Sequence, residues 1–260
     1  MLQPVRWCDL LEFERGGTGV YLTCTDPALP TNSANLVHRA ATLFLQAAKI
    51  TEGVRIHLQK KIPLAAGLGG GSGNAANTLL GLNQLFSQPL SSGQLSGLAA
   101  DLGSDVPFFL QDNPALATGR GEQIAPLDRF AALQGVFAFL VHPGFGISTA
   151  WAYHALANYP GALNGRPGRG KKVIAVLGGA DLEVAGKEFY NALEAPVLDK
   201  YPLLALFQEF LRSNGATAAL MSGSGSTTVA LVKGQAPAEQ LGEKFKAKFG
   251  EHYWTAIVPL

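Results

Sequence analysis

Apolar positions recur along this chain with two periods. Val54, Ile56, Leu58, Lys60 and Ile62 stand every second residue with polar partners between them, which predicts a strand over 54–62. Leu36, Val37, Ala40, Leu43, Phe44 and Ala47 return with a helical period behind Ser33, which is expected to cap the helix. The same period places Ala75, Ala76, Leu79, Leu80, Asn83 and Phe86 on one side of a helix over 74–86. It places Leu95, Leu98, Ala99 and Leu102 on a helix over 92–102, stopped by Gly103 as a C′ glycine. Further strands are expected at 20–24, 137–141, 216–221, 227–232 and 254–258, and helices at 148–157, 202–213 and 239–249. The Gly/Pro-rich stretch 161–170 reads as a long loop. Strands and helices mix without strict alternation, so the expected class is α+β. A break near 131–135 divides the chain into halves, 1–133 and 134–260.

With 260 residues and 47% of them apolar, the chain buries a sizeable core. A net charge of +1 gives no electrostatic case for nucleic acid. The basic run at 166–172 lies among Gly and Pro and reads as a solvated loop. Cys8 and Cys24 have no CxxC spacing and are expected as reduced core thiols. There is no signal-peptide pattern at the start and no apolar run of about 20 residues, so the expected location is cytoplasmic and no membrane partner is implied.

The chemistry lies between the strand at 54–62 and the helix that follows it. Residues 63–76 read Pro-Leu-Ala-Ala-Gly-Leu-Gly-Gly-Gly-Ser-Gly-Asn-Ala-Ala, with five glycines. Glycine lets main-chain N–H groups face a ligand with no Cβ in the way, and a helix start adds unpaired N–H groups and the positive dipole end. Together they describe a phosphate site and point to a nucleotide triphosphate. A helix-capping turn is the plain alternative, but one cap does not call for five glycines. The common nucleotide loops do not fit. No lysine follows the glycines as a Walker loop needs, and no acidic residue stands where a dinucleotide fold holds its ribose. Residues 70–74 also lack the last glycine of a hydrolase elbow.

The pattern that does fit is P-x3-G-L-G-x2-S-x2-A-A. It resembles the ATP-phosphate loop of the GHMP kinases, the group of galactokinase, homoserine kinase, mevalonate kinase and phosphomevalonate kinase. The longer form from Lys61 is similar to the branch that phosphorylates the 2-hydroxyl of a diphosphocytidyl-methylerythritol in non-mevalonate isoprenoid synthesis. Blocks at 31–41, 102–110, 117–122, 141–150, 191–196 and 221–227 follow that branch in the same order. The resemblance implies a two-domain α+β kinase with ATP and Mg²⁺ in a cleft between an N-terminal and a C-terminal α/β sandwich, and a small-molecule substrate. The expected assembly is a monomer or weak homodimer. The alternatives are a kinase for another small alcohol and a catalytically impaired nucleotide-binding homologue.

The resemblance also assigns residues. ATP would be held by Pro63, Leu64, Ala65, Ala66, Gly67, Leu68, Gly69, Gly70, Gly71, Ser72 and Gly73, with Asn35 near the adenine and Lys60 beside the loop. Ser72 would reach a phosphate oxygen or the metal; its alternative is an N-cap. A branched side chain at Gly69 is expected to take the phosphate's place. Asp105 before Pro107 is an ordinary turn aspartate by type; the resemblance makes it the catalytic carboxylate facing the attacking hydroxyl. Thr149, Tyr153, Gly223, Ser224 and Gly225 would touch substrate, with Tyr153 stacked on the pyrimidine. A core tyrosine is the rival reading for Tyr153, and a strand-end lysine for Lys60. Two departures stand out. The family's opening Lys-hydrophobic-Asn-Leu and Gly-Tyr-His blocks do not occur here, so the chain reads as starting late. Gly73-Asn74 replaces the family's usual Ser-Asp, with Asn74 still able to cap the helix.

Overall fold

The computed structural model describes residues 1–163, 168–179 and 181–260. They form two compact units. The first comprises Met1–Leu2, Cys8–Ile62 and Gly69–Leu127, and the second Gln3–Trp7, Pro63–Leu68 and Asp128–Leu260.

The first unit is built on strands β1 (Leu10–Arg15), β2 (Val20–Cys24) and β3 (Val54–Gln59), in the order β1-β3-β2. β1 is antiparallel to β3, and β2 is parallel to it. A parallel pair needs a crossover, supplied by helix α1 (Leu36–Ala47). Val54, Ile56 and Leu58 all face the core, as the alternation requires. Helices α2 (Gly70–Leu85) and α3 (Ser92–Leu102) complete the layer, with Phe44, Ala75, Leu79, Leu82 and Ala99 buried between helices and sheet. α2 meets β1 at Gly81, where a Cβ would lie 2.5 Å from Phe13 Cε2. A 3-10 turn (Val106–Leu110) and the hairpin β4 (Ala115–Thr118) and β5 (Gln123–Pro126) follow.

The second unit has an antiparallel sheet of order β7-β8-β6-β9, from β6 (Val136–His142), β7 (Ala218–Met221), β8 (Thr228–Lys233) and β9 (Trp254–Pro259). β6 is covered on both faces, which explains its uninterrupted apolar run. Its helices are α4 (Thr149–Leu156), α5 (Pro160–Leu163), α6 (Arg169–Gly178), α7 (Leu182–Gly186), α8 (Glu194–Lys200), α9 (Pro202–Ser213) and α10 (Gln235–Phe249). Phe207, Leu211 and Phe245 pack under α9 and α10 against Phe139, while Leu177 and Leu182 cover Leu140 and Val258 on the opposite face.

Several expectations are corrected. Asn35, not Ser33, caps α1, accepting the Val37 N–H at 2.9 Å. α2 begins at Gly70 rather than 74, because its first turn is the glycine run itself. Gly103 is extended (φ 165°), not left-handed. Within the expected 161–170 loop, 161–163 and 169–170 are helical, and residues 164–167 lie outside the described residues. Two of the three basic residues of α6 are engaged: Arg169 stacks over the Tyr190 ring at 4.3 Å, and Lys172 pairs with Glu188 at 2.6 Å. Cys8 is exposed rather than in the core, and both thiols are free. Among the described residues no helix is long and apolar enough to cross a membrane.

Candidate phosphate-binding site

The glycine loop spans the chain's passage from the second unit into the first. In the second unit three successive loop carbonyls are taken. Ala65 O accepts Ile147 N–H at 3.4 Å, Ala66 O accepts Thr227 N–H at 3.1 Å, and Gly67 O accepts the Ser222 hydroxyl at 2.8 Å. Among the described residues no acceptor takes the main-chain N–H groups of residues 64–69. Residues 65–67 thus turn their carbonyls to the protein, while the loop amides keep free hydrogens of the kind that can bind an anion.

This arrangement depends on backbone that only glycine adopts at ease. Gly67 has φ +73°, and a Cβ there would sit 2.2 Å from Ser222 O. Gly67→Ala is therefore expected to cost about 1–2 kcal/mol from the left-handed backbone alone, and more from the overlap. Thermal unfolding should show a lowered midpoint, and an ATP titration at least a tenfold weaker affinity by this local distortion, on the order of 1.4 kcal/mol. Unchanged affinity would remove the Gly67 turn from the site.

In the first unit, Gly69 (φ +68°) is the N-cap of α2 and brings no side-chain cap. The first-turn amides of α2, over 70–72, have no partner within the helix. Ser72 stands in that first turn rather than at the cap, and no group among the described residues bonds its hydroxyl. A Cβ at Gly69 would lie 2.5 Å from Phe109 Cζ, and one at Gly73 3.5 Å from Phe109 Cδ1. The ring thus covers the glycine face of the helix head. A larger residue at 69 would first strike Phe109, which corrects the expectation that it simply fills the phosphate's place.

Phe109 belongs to the 3-10 turn whose N-cap is Asp105. The Asp105 carboxylate makes no capping hydrogen bond and is exposed, so the turn does not use it. Gly121 lies beside it, and a Cβ there would approach Oδ1 to 3.5 Å. An uncommitted carboxylate on a turn that packs on the helix head is chemically able to accept a proton from a hydroxyl brought to it.

Lys60 does lie beside the loop, its Nζ 3.4 Å from where a Cβ on Gly70 would stand, and it has a partner the sequence did not suggest. Its ammonium, 7% exposed, pairs with the wholly buried carboxylate of Asp9. Asp9 Oδ1 also accepts the N–H groups of Lys61 (2.7 Å) and Ile62 (2.9 Å), and Oδ2 accepts Asn74 Nδ2 (2.8 Å). Burial alone would raise the Asp9 carboxyl, but the donors Ile62, Lys60, Lys61 and Asn74 together hold it below its ordinary value of 3.8. Asn74 therefore does not cap α2; it donates to Asp9, a task its amide performs and a carboxylate would not. Asp9 ties the end of β3 to the second turn of α2, bracketing the loop. Sequence reasoning missed it; the available signal was one acid between apolar Trp7-Cys8 and Leu10-Leu11.

Asn35 uses both ends of its amide inside the chain, since Nδ2 also donates to Pro30 O at 2.8 Å. In the second unit, Thr149 Oγ1 and Ser224 Oγ lie 2.8 Å apart, which brings together two of the expected substrate positions. Tyr153 is 62% exposed on α4, so the core reading fails and its ring is open to a ligand. Gly223 (φ +53°) packs on Gly67, and Gly225 (φ +87°) on Met221 and Ile147. Pro63, Leu64 and Leu68 are half-buried along the loop.

Family profiles described as "GHMP kinases N terminal domain" and "GHMP kinases C terminal" match residues 35–113 and 178–251. The chain belongs to the GHMP kinases, which draw their phosphate from ATP. A 4-diphosphocytidyl-2-C-methyl-D-erythritol kinase from Synechococcus sp. (strain JA-3-3Ab) is 39% identical to it, over 98% of this chain and 83% of the relative. A crystal structure of 4-(cytidine 5'-diphospho)-2C-methyl-D-erythritol kinase aligns with a TM-score of 0.75 at 33% identity, covering 97% of this chain and 86% of its own. Homoserine kinase from Cytophaga hutchinsonii, at 22% identity and a TM-score of 0.79, shares the fold.

Proposed function

We propose that this chain transfers the γ-phosphoryl group of ATP to the 2-hydroxyl of 4-diphosphocytidyl-2-C-methyl-D-erythritol. The observation that carries the reading is the run of amides without an acceptor over residues 64–69, which leads in the chain directly into α2, on the same fold as kinases of that name. The triphosphate lies on residues 67–73. Asp105 orients the alcohol and takes its proton as the oxygen–phosphorus bond forms, the bond to the β-phosphate oxygen breaks and ADP leaves. Transfer is direct, without a phospho-enzyme. Thr149, Gly223, Ser224 and Gly225 line the substrate, and Tyr153 stacks on its cytosine. The ATP-binding domain assigned to 1–133 corresponds to most of the first unit and the companion domain 134–260 to most of the second, with residues 3–7, 63–68 and 128–133 packing in the second unit instead.

The residues present fit a Mg²⁺ ion brought by ATP. Among the described residues no cluster of three acidic, histidine or cysteine side chains could hold the ion alone, whereas the free Ser72 hydroxyl suits an ion that keeps water and phosphate oxygens as its other ligands. Bound there, Mg²⁺ neutralises charge on the phosphates. The protein works in the cytoplasm as a monomer or weak homodimer.

The test is ADP release with 4-diphosphocytidyl-2-C-methyl-D-erythritol set against homoserine, mevalonate and galactose. The expected result is a kcat/KM highest for the cytidyl substrate. Preference for another alcohol, or no release above the ATP-only rate, overturns the reading.

A further inference from the structure

The block from Asn191 to Glu194 has no part in the chemistry above, yet three hydrogen bonds tie it to the turn after β7. Asn191 Nδ2 donates to Met221 O at 2.8 Å and to Gly223 O at 2.7 Å, one hydrogen to each side of Ser222. Its own oxygen is fixed by Leu193 N–H at 3.0 Å, which sets the amide's orientation. Glu194 Oε1 accepts Met221 N–H at 2.6 Å and Gln208 Nε2 at 2.8 Å, and Gln208 in turn accepts from Arg212 at 2.7 Å. The residues on either side of Ser222 are thus held, Met221 by its carbonyl from Asn191 and by its N–H from Glu194, and Gly223 by its carbonyl from Asn191. Ser222 is the residue whose hydroxyl holds the Gly67 carbonyl, and its own carbonyl closes the turn onto Gly225 N–H at 2.9 Å.

We infer that Asn191 and Glu194 are positioning residues for the phosphate loop, acting through Ser222. By fixing the Met221 and Gly223 peptides they hold Ser222 where it keeps the Gly67 carbonyl turned toward the protein. That orientation leaves the neighbouring amides facing a phosphate. The inference rests on the reading of residues 64–73 as the triphosphate site. No ligand contact by Asn191 or Glu194 is required. Burial pushes the Glu194 carboxyl up, against the lowering effect of the Met221 and Gln208 donors, in keeping with a side chain kept for its hydrogen bonds rather than for exposed charge.

The experiment compares the affinities of ATP and adenosine by calorimetry in the full chain and its variants. The difference between the two ligands isolates the grip on the phosphates. In the unaltered chain ATP binds far more tightly than adenosine. Asn191→Ala and Glu194→Ala each narrow that gap by about tenfold, the scale of one or two lost hydrogen bonds, with adenosine affinity held within about twofold. Glu194→Gln keeps an Oε1 acceptor for Met221 and Gln208 and retains the gap, whereas loss of mere structural support would show in the thermal midpoint and in both ligands alike. If Asn191→Ala does not fold, Ser222→Ala, which removes only the hydroxyl on Gly67, must narrow the gap in its place. A folded Asn191→Ala or Ser222→Ala with the full gap overturns the positioning role. Equal affinity for ATP and adenosine in the unaltered chain overturns the phosphate-loop reading instead.

Discussion

Asp105→Ala lowers turnover by about a hundredfold to ten-thousandfold, the range for a positioned acid–base group, and leaves ATP affinity and the thermal midpoint nearly unchanged. The reason is geometric. The carboxylate caps nothing and is exposed, so its loss leaves no orphaned donor in the turn. In the proposed role, what disappears is the acceptor for the alcohol's proton and the group that aims its oxygen. An interaction made chiefly in the transition state lowers kcat and kcat/KM together. Steady-state kinetics beside an ATP titration therefore decide the matter. Turnover close to that of the unaltered chain, or a parallel loss of ATP binding, would take Asp105 out of this role.

Lys60→Met destabilises the first unit by about 3–5 kcal/mol, because it leaves the buried Asp9 carboxylate without its counter-charge. Adding Asp9→Asn removes the stranded charge, and the double variant recovers much of that loss. Denaturant unfolding of the two single variants and the double variant measures the coupling. The same set separates the two roles considered for Lys60. If its ammonium serves Asp9, the double variant still binds ATP; if it grips a phosphate, ATP affinity stays low although stability returns. Acid gives a second check. The folded-state value of Asp9 lies below the ordinary 3.8, so the folded form holds fewer protons than the unfolded chain in the window beneath 3.8. The stabilisation from Asp9 is complete above that window and is lost as pH falls through the folded value. The double variant should therefore lose less stability than the unaltered chain on acidification below 3.8. Equal acid sensitivity would show that Asp9 is not the group being titrated.

The elements that could be read from the chain are those whose burial matches a single period. β3 shows Val54, Ile56 and Leu58 inward, and α9 fell at 202–213 as its apolar stripe required. β1 escaped because Leu10, exposed on the outer face, spoils the alternation that Leu11 and Phe13 alone would show. The start of α2 was placed late because glycine is a poor helix former, and tertiary contacts such as Phe109 on Gly69 and Gly73 override that propensity. In the site, the loop and Asp105 stood out through spacing and family likeness. Asp9 and Glu194 did not, since a carboxylate that serves the main chain of a distant segment carries no local signature. Their partners, Ile62 and Met221, are remote in sequence and ordinary in type.

Gly81 has a bearing on how damage to this enzyme would look from outside. The helix rests on Phe13 there with no room for a methyl group. Its opening turn lies about 16 Å away along the axis, at 1.5 Å per residue. A helix is stiff, so a small wedge beneath its middle tilts its far end. An alanine at 81 would then present itself as an enzyme that holds its nucleotide poorly, with every group around the nucleotide intact, and a search confined to those groups would never find the cause.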